Sequence, residues 1–288
     1  MTTQPIVQIA LPKGRMLAEI CALLKESGCP AEINDRNYRV TMCGSGFAGK
    51  LLKPQSIVEM LAAGRRDVGF TGADWVAELD ADLIELMDTG LNPVEVVVAC
   101  PEAFLEEGQL PRQPMVVASE YARLAKEWMR RSSIEGTFVR SWGATEVLPP
   151  DDADCIIDNT ATGATLRANR LQIVEVLMRS STRLYASRQA MENLDKRRQI
   201  ESLVLVLKSV IEARQRVMVE LNVQSEFLDS VLQVIPSMRQ PTVAPLSTSN
   251  GVAVKSAVKR SDLFELLPKL KSVGATDLAV SRIDQIVA

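Results

Sequence analysis

The residues best placed to do chemistry are Asp158-Asn159-Thr160-Ala161-Thr162-Gly163-Ala164-Thr165-Leu166. They follow the apolar run Cys155-Ile156-Ile157, so a carboxylate stands at a strand end, ahead of a tight loop and the start of a helix. Free amides and the dipole at such a terminus favour an anion. Thr160, Thr162 and Thr165 add hydroxyl donors, and Gly163 lets the backbone approach a phosphate closely. A strand-end carboxylate can hold two vicinal ribose hydroxyls, so the set suits a sugar phosphate better than a bare phosphate. An ordinary α/β turn with a threonine cap meets the same spacing. A second cluster, Leu11-Pro12-Lys13-Gly14-Arg15, follows the first strand. Ligands of open α/β sheets bind outside the carboxyl ends of strands, where Lys13 and Arg15 would face an anion. A solvated basic turn is the alternative there. Two more clusters are Asp67-Val68-Gly69-Phe70-Thr71-Gly72-Ala73-Asp74, read as strand, glycine turn and exposed carboxylate, and Gly143-Ala144-Thr145-Glu146, which could equally be a plain surface loop.

The chain has 288 residues and no histidine. That removes Ser-His-Asp and Cys-His catalysis, H-E-x-x-H zinc sites and any imidazole acid or base. Chemistry must come from carboxylates, lysine, arginine, hydroxyls, backbone amides or a metal held by oxygen. The net charge of -3 and the 4% aromatic content argue against a nucleic-acid partner. The five cysteines show no C-x-x-C spacing and read as buried thiols in a reducing compartment. Met1-Thr2-Thr3-Gln4-Pro5 lacks a basic n-region and an apolar h-region, and no run of about 18 apolar residues occurs. A cytoplasmic location without membrane association is therefore expected. Gly44-Ser45-Gly46-Phe47-Ala48-Gly49-Lys50 matches G-x-G-x-x-G and most of a Walker A loop. However, Leu51 stands where the magnesium-binding hydroxyl should be, and Pro54 interrupts the helix a dinucleotide fold needs. A flexible turn after a strand at Arg39 to Met42 is the expectation.

These residues need a scaffold. Ile6–Leu11, Val94–Cys100, Met115–Ala118, Phe138-Val139 and Cys155–Ile157 read as strands, and Met16–Ser27 as a helix stopped by Gly28. Ser119 is a candidate cap for a helix running to about Arg131. Alternation of strands and helices implies a parallel α/β arrangement. A charged helical connector spans Gln189 to about Ala213. Beyond it, strands at Val217–Val219, Thr242–Ala244, Val252–Val258 and Leu278–Ile283 alternate with helices at Gln224–Ile235 and Ser261–Val273, the latter with Ser261 and Gly274 as caps. That β-α-β-β-α-β order indicates a small ferredoxin-like α+β domain.

Taken in order, the four clusters resemble those of the ATP phosphoribosyltransferase family, in its long form with a C-terminal regulatory domain. The carrying residues are Leu11 to Arg15, Asp67 to Asp74, Gly143 to Glu146, and Asp158 to Leu166 followed by Asn169, with Pro241-Thr242-Val243-Ala244-Pro245-Leu246 in the last domain. Phe70 stands where isoleucine is commoner, and Asn159-Thr160 where an apolar pair is. The resemblance implies a two-lobed catalytic core similar to periplasmic binding proteins. Residues 1–94 and 178–212 would form lobe I, residues 95–177 lobe II, and residues 213–288 the regulatory domain. It implies a magnesium-dependent glycosyltransferase that joins N1 of ATP to the ribosyl carbon of phosphoribosyl pyrophosphate, releases pyrophosphate and begins histidine biosynthesis. Lys13, Arg15, Glu146 and Asp158 would be catalytic. Asp74, Thr160, Ala161, Thr162, Gly163, Ala164 and Thr165 would bind substrate. Histidine would inhibit at Asn222, Thr242 and Asp277, in a homo-oligomer, dimer or hexamer; no metal ligand is assigned. A non-catalytic two-lobed sensor and a salvage-type phosphoribosyltransferase are the competing readings.

Overall fold

The computed structural model describes residues 6–34, 37–42, 46–247 and 250–287. Met1 to Pro5, Cys43, Gly44 and Ser45, and with them part of the glycine-rich match, lie outside the described residues. The chain divides into two compact units, residues 1–22 with 29–202, and residues 23–28 with 203–288.

In the first unit the strands are β1 (Val7–Pro12), β2 (Ala31–Asn34), β3 (Arg39–Met42), β4 (Phe47–Leu52), β5 (Val68–Gly72), β6 (Ile84–Pro101), β7 (Met115–Ser119), β8 (Gly136–Arg140), β9 (Cys155–Thr160) and β10 (Leu171–Ala186). They form one sheet in the order β2-β3-β4-β1-β5-β10-β6-β9-β7-β8. The helices that matter most to the site are α1 (Leu17–Glu26), α2 (Pro54–Ala62), α3 (Ala73–Glu78), α4 (Ala122–Arg131) and α5 (Ala164–Ala168). The apolar runs are strands because both their faces are covered. Val96 to Cys100 in β6, Cys155 to Ile157 in β9, and Ile9 to Leu11 in β1 are all fully buried. Each buried branched side chain of this kind contributes about 1.5–3 kcal/mol.

The expected all-parallel arrangement is corrected to a mixed one. β1 runs parallel to β4 and β5, and β7 parallel to β8 and β9. β10 is antiparallel to β5 and β6, and β6 antiparallel to β9. The reason is topological. The chain leaves the first half of the sheet along β6 and returns along β10, so the two crossings must oppose each other. This gives the two-lobed α/β core that the resemblance implied.

Local expectations fare unevenly. Gly28 ends α1 with φ 75°, a left-handed conformation that suits glycine at a helix end. Ser119 does not cap α4. Its hydroxyl donates to the Ile157 carbonyl at 2.6 Å and accepts from the Tyr121 amide, which ties β7 to β9. The glycine-rich match opens no helix. Of its described residues only Gly46 is a turn, and Phe47, Ala48 and Gly49 belong to β4. The expected turn is observed at Gly46 and otherwise falls outside the described residues, while the match from Phe47 onward is a paired strand held by register with β1 and β3. The helical connector is two helices, α6 (Arg188–Glu192) and α7 (Leu194–Gln215), broken where the Asn193 side-chain oxygen Oδ1 accepts from the Asp195 and Lys196 backbone amides.

The second unit contains β11 (Arg216–Gln224), α8 (Leu228–Val234), β12 (Thr242–Pro245), β13 (Gly251–Lys259), α9 (Leu263–Ser272) and β14 (Thr276–Arg282). Sheet order β12-β13-β11-β14 is the ferredoxin-like arrangement expected. Strand alternation places Val217, Val219, Leu221 and Val223 in a core with Val231, Leu266 and Leu270 of the helices. The other face carries Glu220 and Asn222, half-buried. Ser261 does not cap α9. Its hydroxyl donates to Asp262 instead, while Gly274 (φ 97°) follows the helix as expected.

Candidate functional site

The Asp158 segment is the end of β9, a short loop and α5. Gly163 takes φ 69°, which glycine tolerates. The loop is braced from within, because the Thr160 hydroxyl oxygen accepts from the Gly163 amide at 2.9 Å. The Thr162 oxygen takes the Ala164 amide more loosely, at 3.4 Å. A cavity of about 410 Å³ opens above the loop, lined by Arg15, Glu146, Asp158, Asn159, Thr160 and Thr165 among others. Ala161, Thr162 and Ala164 share the lining, while Gly163 shapes the turn beneath it.

Asp158 is the electrostatic centre of this cavity. Burial raises its pKa to about 6. The Asn159 amide, donating at 2.7 Å, opposes the shift; nearby Glu146 and Glu120 add to it, and Arg15 opposes it. A carboxylate in such a place lacks partners and gains most from a ligand that brings donors or a cation. Glu146 lies in a single 3-10 turn, Thr145–Val147, that follows Ala144 in the left-handed region (φ 50°). Thr145 is buried and shares a 2.7 Å hydrogen bond with Ser141, which anchors that turn.

Arg15 reaches over from the loop after β1, and its Nη2 donates to Asn159 Oδ1 at 2.6 Å. Lys13 stands on the same loop with its ammonium 3.2 Å from the centre of the Tyr38 ring, a cation–π contact. A smaller cavity of about 190 Å³ adjoins, and Lys13, Arg15, Asp74, Trp75, Asn159 and Ser180 belong to its lining.

Asp74 corrects an expectation. The glycine turn before it predicts an exposed carboxylate, but Asp74 is 5% exposed at the start of α3. Its Oδ1 accepts from the Ser180 hydroxyl at 2.6 Å and its Oδ2 from the Tyr121 hydroxyl at 2.6 Å. A Cβ on Gly72 would lie 2.1 Å from Asp74 Oδ1, so glycine is what lets the carboxylate fold back over the turn. Tyr121 is fully buried and stacked on Trp75 with ring centres 4.7 Å apart. Burial, with Asp74 beside it, raises the Tyr121 pKa, so the phenol remains a donor to Asp74. Asp67, which opens the same motif, is structural. It pairs with Lys196 at 2.8 Å and accepts from the Gln8 amide.

Sequence reasoning missed Tyr121 and Ser180 as members of this constellation. Tyr121 carries no motif. The run Ser180-Ser181-Thr182 inside a strand was the one visible signal, since hydroxyls in a central strand need partners. The effector candidates lie in the second unit. Asn222 Nδ2 donates to Asp277 Oδ2 at 3.0 Å, so those two meet. Thr242 pairs with Lys255, and Lys255 with Glu220, two residues along the strand from Asn222. The fold of this unit therefore does not bring Thr242 to the Asn222–Asp277 pair.

A two-lobed α/β core with a carboxylate near a strand end and a hydroxyl loop in one half, and an arginine reaching over from the other, has the make-up that a phosphoribosyltransferase needs. Comparison with known proteins makes this specific. Residues 53–209 match the family model described as ATP phosphoribosyltransferase, and residues 213–285 match the one described as HisG, C-terminal domain. ATP phosphoribosyltransferase of Chlorobium luteolum is 33% identical over 287 residues, covering 98% of both chains. That of Thermodesulfovibrio yellowstonii is 30% identical over 287 residues, again covering 98% of both. Among solved structures, the ATP phosphoribosyl transferase (HisG:HisZ) complex from Thermotoga maritima shares the fold, with a TM-score of 0.62 at 22% identity over 70% of this chain and 99% of that one. The chain belongs to the ATP phosphoribosyltransferase family. It is a pentosyltransferase that joins N1 of ATP to the ribosyl carbon of phosphoribosyl pyrophosphate, releasing pyrophosphate in the first step of histidine biosynthesis. Enzymes of this family generally need a metal ion. The sensor and salvage readings are set aside. Among the described residues no helix is long and apolar enough to cross a membrane.

Proposed function

We propose that transfer takes place in the 410 Å³ cavity, with Asp158, Glu146 and Arg15 of its lining and Lys13 of the adjoining smaller cavity as the catalytic groups. The observation that carries this is the convergence of Arg15, from the first half of the sheet, with Asp158, Glu146 and the threonine loop of the second, on one wall. Asp158 would accept hydrogen bonds from the ribose hydroxyls. The 5-phosphate would sit on Thr160, Ala161, Thr162, Gly163, Ala164 and Thr165. Glu146 would contact the ribosyl pyrophosphate, and Arg15 and Lys13 would face the pyrophosphate. N1 of adenine carries a lone pair and no proton, so no strong base is needed and the absence of histidine is no obstacle. As N1 bonds to the ribosyl carbon, the bond to pyrophosphate breaks and its electron pair leaves with that group. Fixed positive charge near the leaving oxygens stabilises the transition state more than the ground state. Asp74 would support the smaller cavity, on the nucleotide side.

Magnesium is the proposed metal. Among the described residues no three ligating side chains converge. Asp158 and Glu146 nonetheless form a hard oxygen pair in need of positive charge, which suits an ion held mainly by pyrophosphate and water. When bound, it would neutralise the leaving group. Residues 1–94 with 178–212 and residues 95–177 would act as lobes I and II, and residues 213–288 as a regulatory domain that takes histidine near Asn222 and Asp277, without Thr242. The solved relative from Thermotoga maritima is a complex, and a homo-oligomer, dimer or hexamer, is proposed for this chain in the cytoplasm. The test of the site is initial-rate kinetics of Arg15→Gln, Glu146→Gln and Asp158→Asn against both substrates. Each should lose kcat/KM for phosphoribosyl pyrophosphate, and normal rates in all three would remove the assignment.

A further inference from the structure

Arg15 and Asn159 belong to the lining of both cavities, so their 2.6 Å hydrogen bond stands in the wall between them. The bond also joins the two halves of the core, since Arg15 follows β1 and Asn159 lies in β9. It does not end there. Asn159 Nδ2 donates to the Tyr121 hydroxyl at 2.9 Å, and that hydroxyl donates to Asp74 Oδ2 at 2.6 Å. Ser180 of β10 fixes the other Asp74 oxygen at 2.6 Å and receives the Asp74 amide at 3.0 Å.

The direction of this chain is settled by its ends. A guanidinium can only donate, so Asn159 must turn its carbonyl oxygen to Arg15 and its amide nitrogen to Tyr121. A carboxylate can only accept, so the Tyr121 proton must lie toward Asp74. Every donor therefore points from the cation toward the carboxylate, and bonds aligned in this way strengthen one another. Arg15 itself is exposed, on a loop. A long side chain there would otherwise sample many rotamers and lose that freedom when it met an anion.

We propose that Asn159 is a positioning residue for the transfer reaction: it holds the Arg15 guanidinium at the wall shared by the two cavities, and is itself held by Tyr121 on the buried Asp74. This rests on the reading above that Arg15 meets the pyrophosphate. The held guanidinium is preorganised for the leaving group and does not have to be ordered at each turnover. Asn159 need not touch substrate to matter. Its loss should be felt through Arg15 alone, and in the phosphoribosyl pyrophosphate terms more than in those of ATP.

The experiment is a kinetic cycle on the full chain: wild type, Arg15→Gln, Asn159→Ala and the double variant, with KM and kcat for each substrate and thermal melting for each protein. Asn159→Ala should lower kcat/KM for phosphoribosyl pyrophosphate about 10-fold, the loss of one charge-assisted hydrogen bond, with KM for ATP changed less than about 2-fold. In the Arg15→Gln background the same change should have no further effect, because its target is gone. Tyr121→Phe, which keeps the stacked ring, should give a smaller loss of the same kind, and it carries the cycle if Asn159→Ala does not fold. Asn159→Asp keeps the acceptor but cannot donate to Tyr121 when ionised, so it should fail to restore wild-type kinetics. Additive losses in the double variant, or equal losses for both substrates, overturn the inference. Normal kinetics in Asn159→Ala beside a defective Arg15→Gln overturn it while leaving the role of Arg15 intact. A fully active Arg15→Gln overturns the role of Arg15 itself.

Discussion

Asp158 and Asp74 both stand where a strand gives way to a loop or helix, one in each half of the core, and their environments are opposite. Asp74 is buried with each oxygen taken by a hydroxyl, from Ser180 and from Tyr121. Asp158 is also largely withdrawn from water, but among the described residues its one hydrogen-bond donor is the neighbouring Asn159 amide, and two further carboxylates push against it. Asp74 is satisfied by the fold; Asp158 is not. A buried carboxylate that is fully hydrogen-bonded contributes to structure, whereas one left short of donors stores free energy that binding can release.

The widest separation between the two should come from replacing each in turn. Asp158→Asn should lower kcat/KM for phosphoribosyl pyrophosphate on the order of 100-fold or more, since up to two hydrogen bonds to a charged group are lost. The same variant should be more stable than wild type. The folded-state pKa of Asp158 is raised from 3.8 to about 6. Its ionisation therefore works against folding progressively from about pH 4 to pH 6 and fully above that. Removing the charge should gain on the order of 2 kcal/mol at pH 7 and nothing near pH 3. Melting curves across this range check it, and a variant less stable at pH 7 would contradict the burial of an unsatisfied charge. The variant should also lose the protein's share of the rise in kcat/KM through about pH 6.

Asp74→Ala should do the reverse. It leaves the buried Tyr121 hydroxyl without its acceptor and should cost about 2–4 kcal/mol of stability, with activity falling for both substrates together as the two halves lose their connection. Loss confined to ATP, with unchanged melting, would make Asp74 a plain substrate contact and erase the contrast. A narrower difference concerns the loop. Thr160 already spends its oxygen on the Gly163 amide, while among the described residues no hydrogen bond occupies the Thr165 hydroxyl in the cavity lining. Thr165→Ala should weaken phosphoribosyl pyrophosphate by about 10- to 100-fold and leave ATP affinity alone. Isothermal titration with each substrate decides this, and equal losses would sink the phosphate assignment.

The same two carboxylates show what a sequence can and cannot convey. Asp158 was legible because everything that defines it is local: an apolar run, a carboxylate, hydroxyls, one glycine and a helix start within a dozen residues. The β-α-β-β-α-β unit was legible for the same reason, with period-2 strands separated by period-3.6 helices. The burial of Asp74 was not, because its partners Tyr121 and Ser180 lie 47 and 106 positions away. Nor was the mixed sheet. Only Val94 to Cys100 of β6 reads as a strand and β10 does not read as one at all, and their lengths of 18 and 16 residues come from pairing with each other rather than from propensity. Ser119 looked like a cap because serine before a helix usually is one, yet a buried carbonyl across the sheet offered its hydroxyl a better partner.

The smallest expected effect sets the second unit against this core. Its candidate effector residues repeat the problem of a charge and its partners, but at an exposed sheet edge. A bound histidine brings an ammonium group, which needs an acidic partner. Asn222 offers none. Of the acids near it, Glu220 is paired with Lys255 at 2.5 Å, whereas Asp277 contacts only the neutral Asn222 amide and the Thr276 hydroxyl among the described hydrogen bonds. Asp277 is then the group able to supply the charge, and Asn222 orients it. Exposed charge interactions contribute about 0.2–1 kcal/mol, so Asp277→Asn should raise the histidine concentration for half-inhibition by about 2- to 5-fold. Glu220→Gln should do little. Asn222→Asp sets a second carboxylate against Asp277, which costs some local stability by like-charge repulsion but should strengthen inhibition by a similar small factor. Because coupling is reciprocal, saturating substrate must shift histidine affinity by the same factor as histidine shifts substrate. Histidine titrations of the wild type and the three variants, by turnover and by direct binding, test every part of this. If Glu220→Gln weakens inhibition and Asp277→Asn does not, the acidic partner has been assigned to the wrong strand.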